Sequence, residues 1–349
     1  MNYKQLGNSN VQVSSICLGT MTWGQQNSQD EAFAQLNYAI ENDINFIDTA
    51  ELYPVPPQAK TYSKTETIIG NYLKEKGSSL REKLIIASKV SGRSDHLDWI
   101  RNGNNCFNEK NIILALEQSL KRLQTDYIDL YQLHWPDRKT NYFGQLGYKV
   151  AQDDNSISIE ETLNVIKKLL KQGKIRHYGL SNETPWGAMT FLQTAQKLDM
   201  PKPVSIQNPY NLLNRTFEVG LAEVSHRENF GLLAYSPLGF GTLTGKYLNN
   251  QKPAGARLTL FGKNFPRYLT PIAVEATKKY ATLANSFNLS FAQMSLAFVN
   301  QQKFITSNII GATSLVQLKE NIDSLNIILE KKVLKEIEKI HLSNPNPAP

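Results

Sequence analysis

Residues 44–53, INFIDTAELY, decide both the fold and the site, because an apolar, β-rich run gives way there to polar residues. The run ends at Asp48, and Tyr53 follows five residues later. Three other runs share this design, in chain order SSICLGTMTWG (14–24), LIIASK (84–89) and YIDLYQLHWPDR (127–138). In the last two, the apolar part ends at Lys89 and at His134. Parallel neighbouring strands bring their carboxyl ends to one mouth, so this pattern predicts the active face of an α/β barrel.

The whole chain alternates between apolar, β-rich runs and helical patterns, which is typical of parallel strands joined by helices. The eight strand candidates are Ser15–Gly19, Asn45–Thr49, Leu84–Lys89, Tyr127–Leu133, His177–Leu180, Ser205–Asn208, Leu232–Ser236 and Asn308–Gly311. Helical windows with apolar residues three and four apart lie between them, among them Asp30–Asn42, Thr65–Lys76, Glu109–Leu123 and Ser158–Lys171. Asn108 and Ser158 stand at N-cap positions. Eight such units predict a closed (β/α)8 TIM barrel, with an open doubly wound sheet as the alternative.

Two features add to the eight units at opposite ends of the predicted barrel. Tyr3–Leu6 and Val11–Val13 flank the turn GNSN and predict a β-hairpin that closes the N-terminal end. Two long connections, Trp135–Ile157 and Gly239–Thr270, follow the fourth and seventh barrel strands. Long loops in compact domains are usually lids or binding loops, so both are expected to overhang the mouth.

The end of the chain carries one more helical pattern. Lys331–Leu342 reads as a final amphipathic helix, and NPNPAP (344–349) as a frayed tail. No repeat and no linker composition interrupts the chain. Residues 1–349 are therefore predicted to form a single domain.

Composition and charge exclude several classes of protein. The net charge of +7 and pI near 9.1 allow an anionic partner, but the cations are mixed with acids and form no basic stripe, which argues against nucleic-acid binding. A phosphorylated cofactor would need only a few of these cations. No run of about eighteen apolar residues predicts a membrane span, and the start lacks the pattern of a secretory signal. Cys17 and Cys106 are too few for a disulfide framework, which favours the cytoplasm.

The four residues at the strand ends together suit the reduction of a carbonyl group. A phenol such as Tyr53 keeps its proton at neutral pH and can donate it to a developing alkoxide. A nearby Lys89 ammonium favours the phenolate and so eases the transfer, provided that Asp48 keeps the lysine charged. His134 can orient the carbonyl oxygen or share the relay. Each residue alone is as readily a rim residue, a solvated charge or a turn cap; the combination indicates the chemistry.

No side chain can transfer hydride, so this chemistry requires a cofactor. GFGTLTG (239–245) follows the seventh strand and could cradle phosphates, although as a dinucleotide fingerprint it is weak. GATSLVQLKEN (311–321) would open a helix whose first amides bind phosphate, and Lys246 and Arg257 add charge nearby. The alternative is a flexible glycine loop and an ordinary helix cap. The histidines show no spacing of metal ligands, so no metal site is predicted.

From about residue 3 to residue 340 the chain resembles the aldo-keto reductase superfamily, and within it the bacterial Tas-type branch. FIDTAELY, IIASK and QLHW look like the family's Asp–Tyr–Lys–His tetrad, which implies catalytic roles for Asp48, Tyr53, Lys89 and His134, with Tyr53 the general acid. The resemblance implies NADPH-dependent reduction of aldehydes or ketones to alcohols. It also leaves open a second reading, an NADPH-binding sensor or partner protein similar to potassium-channel β-subunits.

The resemblance further implies a set of cofactor-binding residues. These are Thr20, Trp23, Ser181, Asn182, Gln207, Tyr210, Ser236, Leu238, Gly241, Lys246, Arg257, Ser314, Gln317, Glu320 and Asn321, with Tyr210 stacked on the nicotinamide ring. The aldose-reductase branch places Lys and Arg on the adenosine phosphate where Gly311 and Gln317 stand here, so Lys246 and Arg257 are expected to supply that charge. Trp23, Tyr53 and Trp135, with Phe143 and Phe265, are expected to line an apolar pocket for a small carbonyl substrate.

Overall fold

The computed structural model describes residues 1–349, and its centre is a closed barrel of eight parallel strands. In chain order the strands are β1 (Tyr3–Gln5), β2 (Gln12–Ser14), β3 (Ile16–Gly19), β4 (Phe46–Asp48), β5 (Ile85–Val90), β6 (Ile128–Leu133), β7 (Ile175–Ser181), β8 (Ser205–Pro209), β9 (Gly231–Tyr235) and β10 (Ile305–Ile310). Strands β3 to β10 pair in sequence, and β10 returns to β3 with Asn308 opposite Ile16. The barrel prediction is confirmed, and the open sheet is excluded.

Every predicted barrel strand is present, with differences only at the strand ends. Strand β7 begins at Ile175, two residues before the predicted start, because Ile175 pairs with Ile128 although Arg176 is polar and exposed. Strand β10 begins at Ile305 for a similar reason, as Ile305 pairs with Leu232 of β9. Pairing with neighbours, rather than the local apolar run, sets these boundaries.

Helices surround the barrel and bury their apolar faces against it. They are α1 (Gln29–Glu41), α2 (Lys64–Lys76), α3 (Ser78–Arg81), α4 (Glu109–Leu123), α5 (Ile159–Lys171), α6 (Pro185–Lys197), α7 (Leu221–Arg227), α8 (Arg257–Phe261), α9 (Pro271–Ser286), α10 (Phe291–Asn300), α11 (Leu315–Asp323) and α12 (Lys331–Ser343). Helix α4 shows why they form: Ile112, Leu116, Leu120 and Leu123 lie on one buried face. Both predicted N-caps are confirmed, as Asn108 and Ser158 accept bonds from the first helical turns.

The hairpin of β1 and β2 packs at the N-terminal end of the barrel. Leu6 and Val13 are fully buried and belong to one apolar cluster with Cys17, Leu130 and Leu233 from the barrel strands. This cluster closes that end, as predicted. The site must therefore lie at the other end, where the strands finish.

The tail that was expected to fray is packed. Ala348 is fully buried and donates its backbone N–H to the carbonyl of Leu213, at 3.1 Å. The side chain of Asn346 accepts a bond from the backbone of Arg215 at 2.6 Å. Prolines rather than apolar periodicity mark the tail in the sequence, so these long-range bonds have no local signal.

Candidate active site

Asp48, Tyr53, Lys89 and His134 converge at the C-terminal mouth of the barrel. Asp48 ends β4, Lys89 lies in β5, and His134 directly follows β6. The Lys89 ammonium donates to Asp48 Oδ2 and to the carbonyl of Thr49, both at 2.7 Å, and lies 3.4 Å from the Tyr53 hydroxyl. Lys89 is fully buried, whereas Tyr53 is 8% exposed and faces the cavity. The lysine therefore reaches the cavity only through the tyrosine.

Two amides fix the carboxylate of Asp48 from the side opposite Lys89. Gln207 donates to Asp48 Oδ1 at 2.8 Å, and Gln132 donates to the same oxygen at 3.3 Å. Gln207 also donates to Gln132 at 3.2 Å. Because this network saturates Oδ1, the carboxylate keeps Oδ2 directed at Lys89.

Burial and charge act against each other on Lys89 and Tyr53. Burial opposes the charge of Lys89, but the carboxylate of Asp48 and the oxygen of Tyr53 outweigh it, so the pKa of Lys89 lies above its usual value. Burial raises the pKa of Tyr53, and the ammonium of Lys89 opposes this rise. From the sequence alone, only the lowering of the pKa by the lysine is expected. In the folded protein the net shift is upward, because desolvation of a phenolate costs more.

His134 is neutral at the mouth. Burial, reinforced by the positive charge of Lys89, holds its pKa well below the usual value. Its ring lies edge-on to the ring of Tyr53, with centroids 5.8 Å apart. Its Nδ1 is buried without a hydrogen-bond partner. A neutral imidazole beside the phenol can polarise a carbonyl oxygen without adding charge.

An ion pair that the sequence analysis did not identify fixes the loop carrying Tyr53. Glu51 is fully buried, lies 2.7 Å from Arg101 and accepts the backbone N–H of Ser91 at 2.6 Å. The hydroxyl of Tyr62 donates to it at 3.3 Å. The one available signal was a lone acid between the strand and the tyrosine, in FIDTAELY.

A cavity of about 1020 Å³ opens above the four residues and extends along the strand ends. Most predicted cofactor residues line it, namely Thr20, Ser181, Asn182, Gln207, Ser236, Leu238, Gly241, Lys246, Arg257, Gln317, Glu320 and Asn321. Of the predicted substrate pocket, Tyr53, Trp135, Phe143 and Phe265 line it as well. The cavity walls come from both long loops, as expected for connections that follow barrel strands.

Three of the predicted cofactor residues do not reach this cavity. Tyr210 is fully buried, stacks against Phe298 and donates to Glu218 at 2.5 Å, so it cannot stack on a ring in the cavity. Trp23 is fully buried in the core and donates to Gln35 at 3.2 Å, which removes it from both the cofactor and the substrate sets. Ser314 is exposed and caps α11 through a bond from the backbone of Gln317.

Tyr235, rather than Tyr210, is the tyrosine that lies where a nicotinamide ring could stack. It ends β9, lines the cavity, and donates its hydroxyl to Asn182 Oδ1 at 2.6 Å. Asn182 in turn donates to the carbonyl of His134 at 2.9 Å. The signal was available, since AYSPLG places this tyrosine at a strand end, whereas Tyr210 follows its strand and turns into the core.

The far part of the cavity has the features of a phosphate site. Lys246 and Arg257 line it without a carboxylate partner, and burial lowers the pKa of both, that of Arg257 to about 10. Gly241 has φ +88, and a Cβ there would lie 2.9 Å from Cε of Lys246. Unpaired, partly desolvated cations beside a glycine turn favour a bound anion. The residues present therefore fit the phosphate groups of a nicotinamide dinucleotide.

The model of the aldo/keto reductase family matches residues 15–342. The chain is 53% identical over 349 residues to the protein called Protein tas of Escherichia coli strain K12, covering the full length of both. It is 42% identical to a protein named aldo-keto reductase of Babesia bovis, over 69% of this chain and 88% of that one. A probable voltage-gated potassium channel subunit beta of Oryza sativa subsp. japonica is 29% identical, over 99% and 98%.

The chain belongs to the aldo/keto reductase family. It is an oxidoreductase of the Tas-type branch, as the sequence resemblance predicted. None of its helices combines the length and the apolar character needed to cross a bilayer. No group of three or more His, Cys, Asp or Glu side chains is placed to hold a metal ion.

Proposed function

We propose that the protein reduces aldehydes or ketones to alcohols with NADPH, and that Tyr53 is the general acid. The observation that carries this proposal is the contact between the cavity-facing Tyr53 hydroxyl and the buried Lys89 ammonium, at 3.4 Å. A phenol that faces a large cavity and contacts an ion-paired lysine ammonium is suited to donate a proton to a bound substrate. The family membership supports the same reaction class.

The cofactor would lie along the strand ends. Lys246 and Arg257 would hold its phosphates, with Gln317, Glu320 and Asn321 at the adenosine end. Ser181, Asn182 and Gln207 would hold the nicotinamide amide beside Tyr235. When bound, NADPH supplies the hydride that the carbonyl carbon receives. We propose NADPH rather than NADH because Lys246 and Arg257 line the cavity without a carboxylate partner.

The chain itself supplies the proton and the orientation. Tyr53 donates its proton to the carbonyl oxygen as charge develops there, and Lys89 stabilises the phenolate that remains. Asp48 keeps Lys89 charged through the 2.7 Å contact. Neutral His134 and the indole of Trp135 line the part of the cavity where the carbonyl group would lie. Water then returns a proton to Tyr53.

A Tyr53→Phe variant tests the assigned role. Turnover of a small aldehyde panel should fall by about 100- to 10,000-fold, which is the usual contribution of a general acid. NADPH affinity, followed by fluorescence titration, should change little because the ring remains. Full turnover in the variant would show that Tyr53 is not the general acid.

A second candidate is an NADPH-binding protein that serves a partner, which the likeness to a probable potassium channel subunit beta favours. NADPH binding without turnover on any carbonyl, in the wild-type protein, would support it. The four-residue cluster at a cavity with apolar walls favours catalysis.

We also propose that residues 1–349 act as one domain and that the protein works in the cytoplasm, where its two free cysteines stay reduced.

A further inference from the structure

The arginines of this chain fall into two groups. Those at positions 81, 93, 101, 122, 138, 176, 215 and 227 each form an ion pair with a carboxylate. Arg257 and Arg267 form none, and both line the same cavity. Two unpaired guanidinium groups in one cavity indicate two separate places for anions, because a partly desolvated cation is costly without a counter-charge.

The two arginines contact different walls of the cavity, and the charge of Arg257 also acts on Tyr53. Arg257 donates to Gln26 at 3.3 Å and stands close enough to Lys246 for its charge to lower the pKa of that lysine. Arg267 instead lies against the loop after β6, where a Cβ on Gly144 would be 3.5 Å from its Nη1. Burial raises the pKa of Tyr235, and the charge of Arg267 opposes that rise, so Arg267 also acts on the catalytic end of the cavity.

Arg267 has no carboxylate partner: burial lowers its pKa, and the neighbouring hydroxyls of Tyr268 and Tyr235 outweigh that effect. Its Nε is buried without a hydrogen bond, and its guanidinium carbon lies 5.0 Å from the ring centre of Tyr268. Phe143 and Phe265 line the same cavity. A pocket with aromatic side chains in its walls and a forked cation that lacks a carboxylate partner suits a small molecule that carries a carboxylate.

We propose that Arg267 binds the carboxylate of the substrate, so that the preferred substrates are carbonyl compounds that are also carboxylic acids. The inference rests on the proposed reductase function and deepens it. The carboxylate is not changed in the reaction: the carbonyl carbon gains hydride from the cofactor, its oxygen gains the proton of Tyr53, and Arg267 holds the other end of the molecule.

The test compares straight-chain aldehydes that end in a carboxylate with their methyl esters, over several chain lengths, in the wild type and in Arg267→Met. In the wild type, kcat/KM should be at least about tenfold higher for the acid of best length than for its ester. Arg267→Met should lower kcat/KM for the acid by roughly 10- to 100-fold, the effect of losing a charge-assisted bond, and leave the ester nearly unchanged. Arg267→Lys should fall between, because it keeps the charge and loses the fork.

Arg93→Met is the matched control. It removes a positive charge from the same cavity, but this arginine already has Asp137 as its partner at 3.4 Å. It should leave the ratio of acid to ester unchanged. Equal rates for acid and ester in the wild type would overturn the proposal, as would an equal loss on both substrates or weaker NADPH binding in Arg267→Met.

Two further arms separate the remaining outcomes. A preference for an aldehyde with a phosphate group over every carboxylate would show that Arg267 binds a phosphate, and it would overturn the assignment of a carboxylate. If the wild type reduces no aldehyde, the proposed function itself fails. Calorimetric titration of the aldehyde acid into the NADPH-bound protein then still decides whether Arg267 holds a carboxylate, since Arg267→Met should weaken that binding by roughly 10- to 100-fold.

Discussion

Lys89 and Asp48 form a buried ion pair, with Nζ and Oδ2 2.7 Å apart at the ends of neighbouring strands. Both side chains are almost completely hidden from solvent. Such pairs add little net stability, but breaking one by removing a single partner is costly because a charge stays buried. Because Lys89 also acts on the pKa of Tyr53, disrupting this pair would affect both the protonation of Tyr53 and the stability of the barrel.

Asp48→Asn should lower the free energy of unfolding by about 3–5 kcal/mol, because it leaves the ammonium of Lys89 without a counter-charge. The double variant Asp48→Asn with Lys89→Met should lose less than the sum of the single variants, since it removes the buried charge altogether. Urea unfolding of all four proteins at pH 7 completes the cycle. Strictly additive losses would show that the two residues do not act as a pair.

His134 should make the protein sensitive to acid. Its pKa is lowered in the folded state, so the unfolded state binds more protons once the pH falls below about 6.5. The stability associated with neutral His134 is present above that pH and decreases as the pH falls towards the folded pKa, by at most about 1.4 kcal/mol per pH unit. His134→Phe removes this contribution. The stability difference between the wild type and the variant should therefore shift in favour of the variant between pH 7.5 and pH 5, measured by urea unfolding; a constant difference would contradict it.

Arg257→Met should weaken NADPH binding by about 10- to 100-fold, because a charge-assisted bond to phosphate is lost. NADH lacks the 2′-phosphate of the adenosine ribose, so its affinity should change much less. Arg93→Met again serves as the control for charge and should affect neither cofactor. Fluorescence titration of the wild type and both variants with each cofactor measures the six affinities. An equal loss for both cofactors would place Arg257 at the diphosphate, and no loss for either would place it outside the site.

Tyr235→Leu and Tyr210→Leu form a matched pair that tests which tyrosine faces the cofactor. Tyr235→Leu should raise the Kd of NADPH by about tenfold and lower kcat, because the ring lies on the cavity wall beside Asn182. Tyr210→Leu should cost about 1–3 kcal/mol of stability and leave the Kd unchanged, since its ring packs in the core. The reversed pattern would restore the sequence-based choice.

Much of the fold and the catalytic cluster could be predicted from local sequence. Apolar runs of strand length alternate with helical spacing, and this periodicity directly reflects burial in a parallel barrel. Asp48, Lys89 and His134 were predictable because each follows such a run, and parallel strands leave no other place for their ends. Tyr53 required only the short loop after Asp48.

Orientation beyond a strand end could not be predicted in the same way. Trp23 and Tyr210 both follow barrel strands, yet each turns into the layer between barrel and helices, where Gln35 and Phe298 receive them. That choice depends on contacts with distant helices, which no local spacing records. The same is true of the packed tail at Ala348 and of the pair between Glu51 and Arg101.

The ladder between Asn308 and Ile16 joins strands separated by almost the whole chain. During synthesis, strands β3 to β9 can align as they emerge, but β3 keeps an open edge until β10 has left the ribosome. An open edge strand is a template for pairing with another molecule. A message cut short before β10 would thus yield a product that aggregates rather than a weakened enzyme, and the nascent chain needs shielding late in its translation.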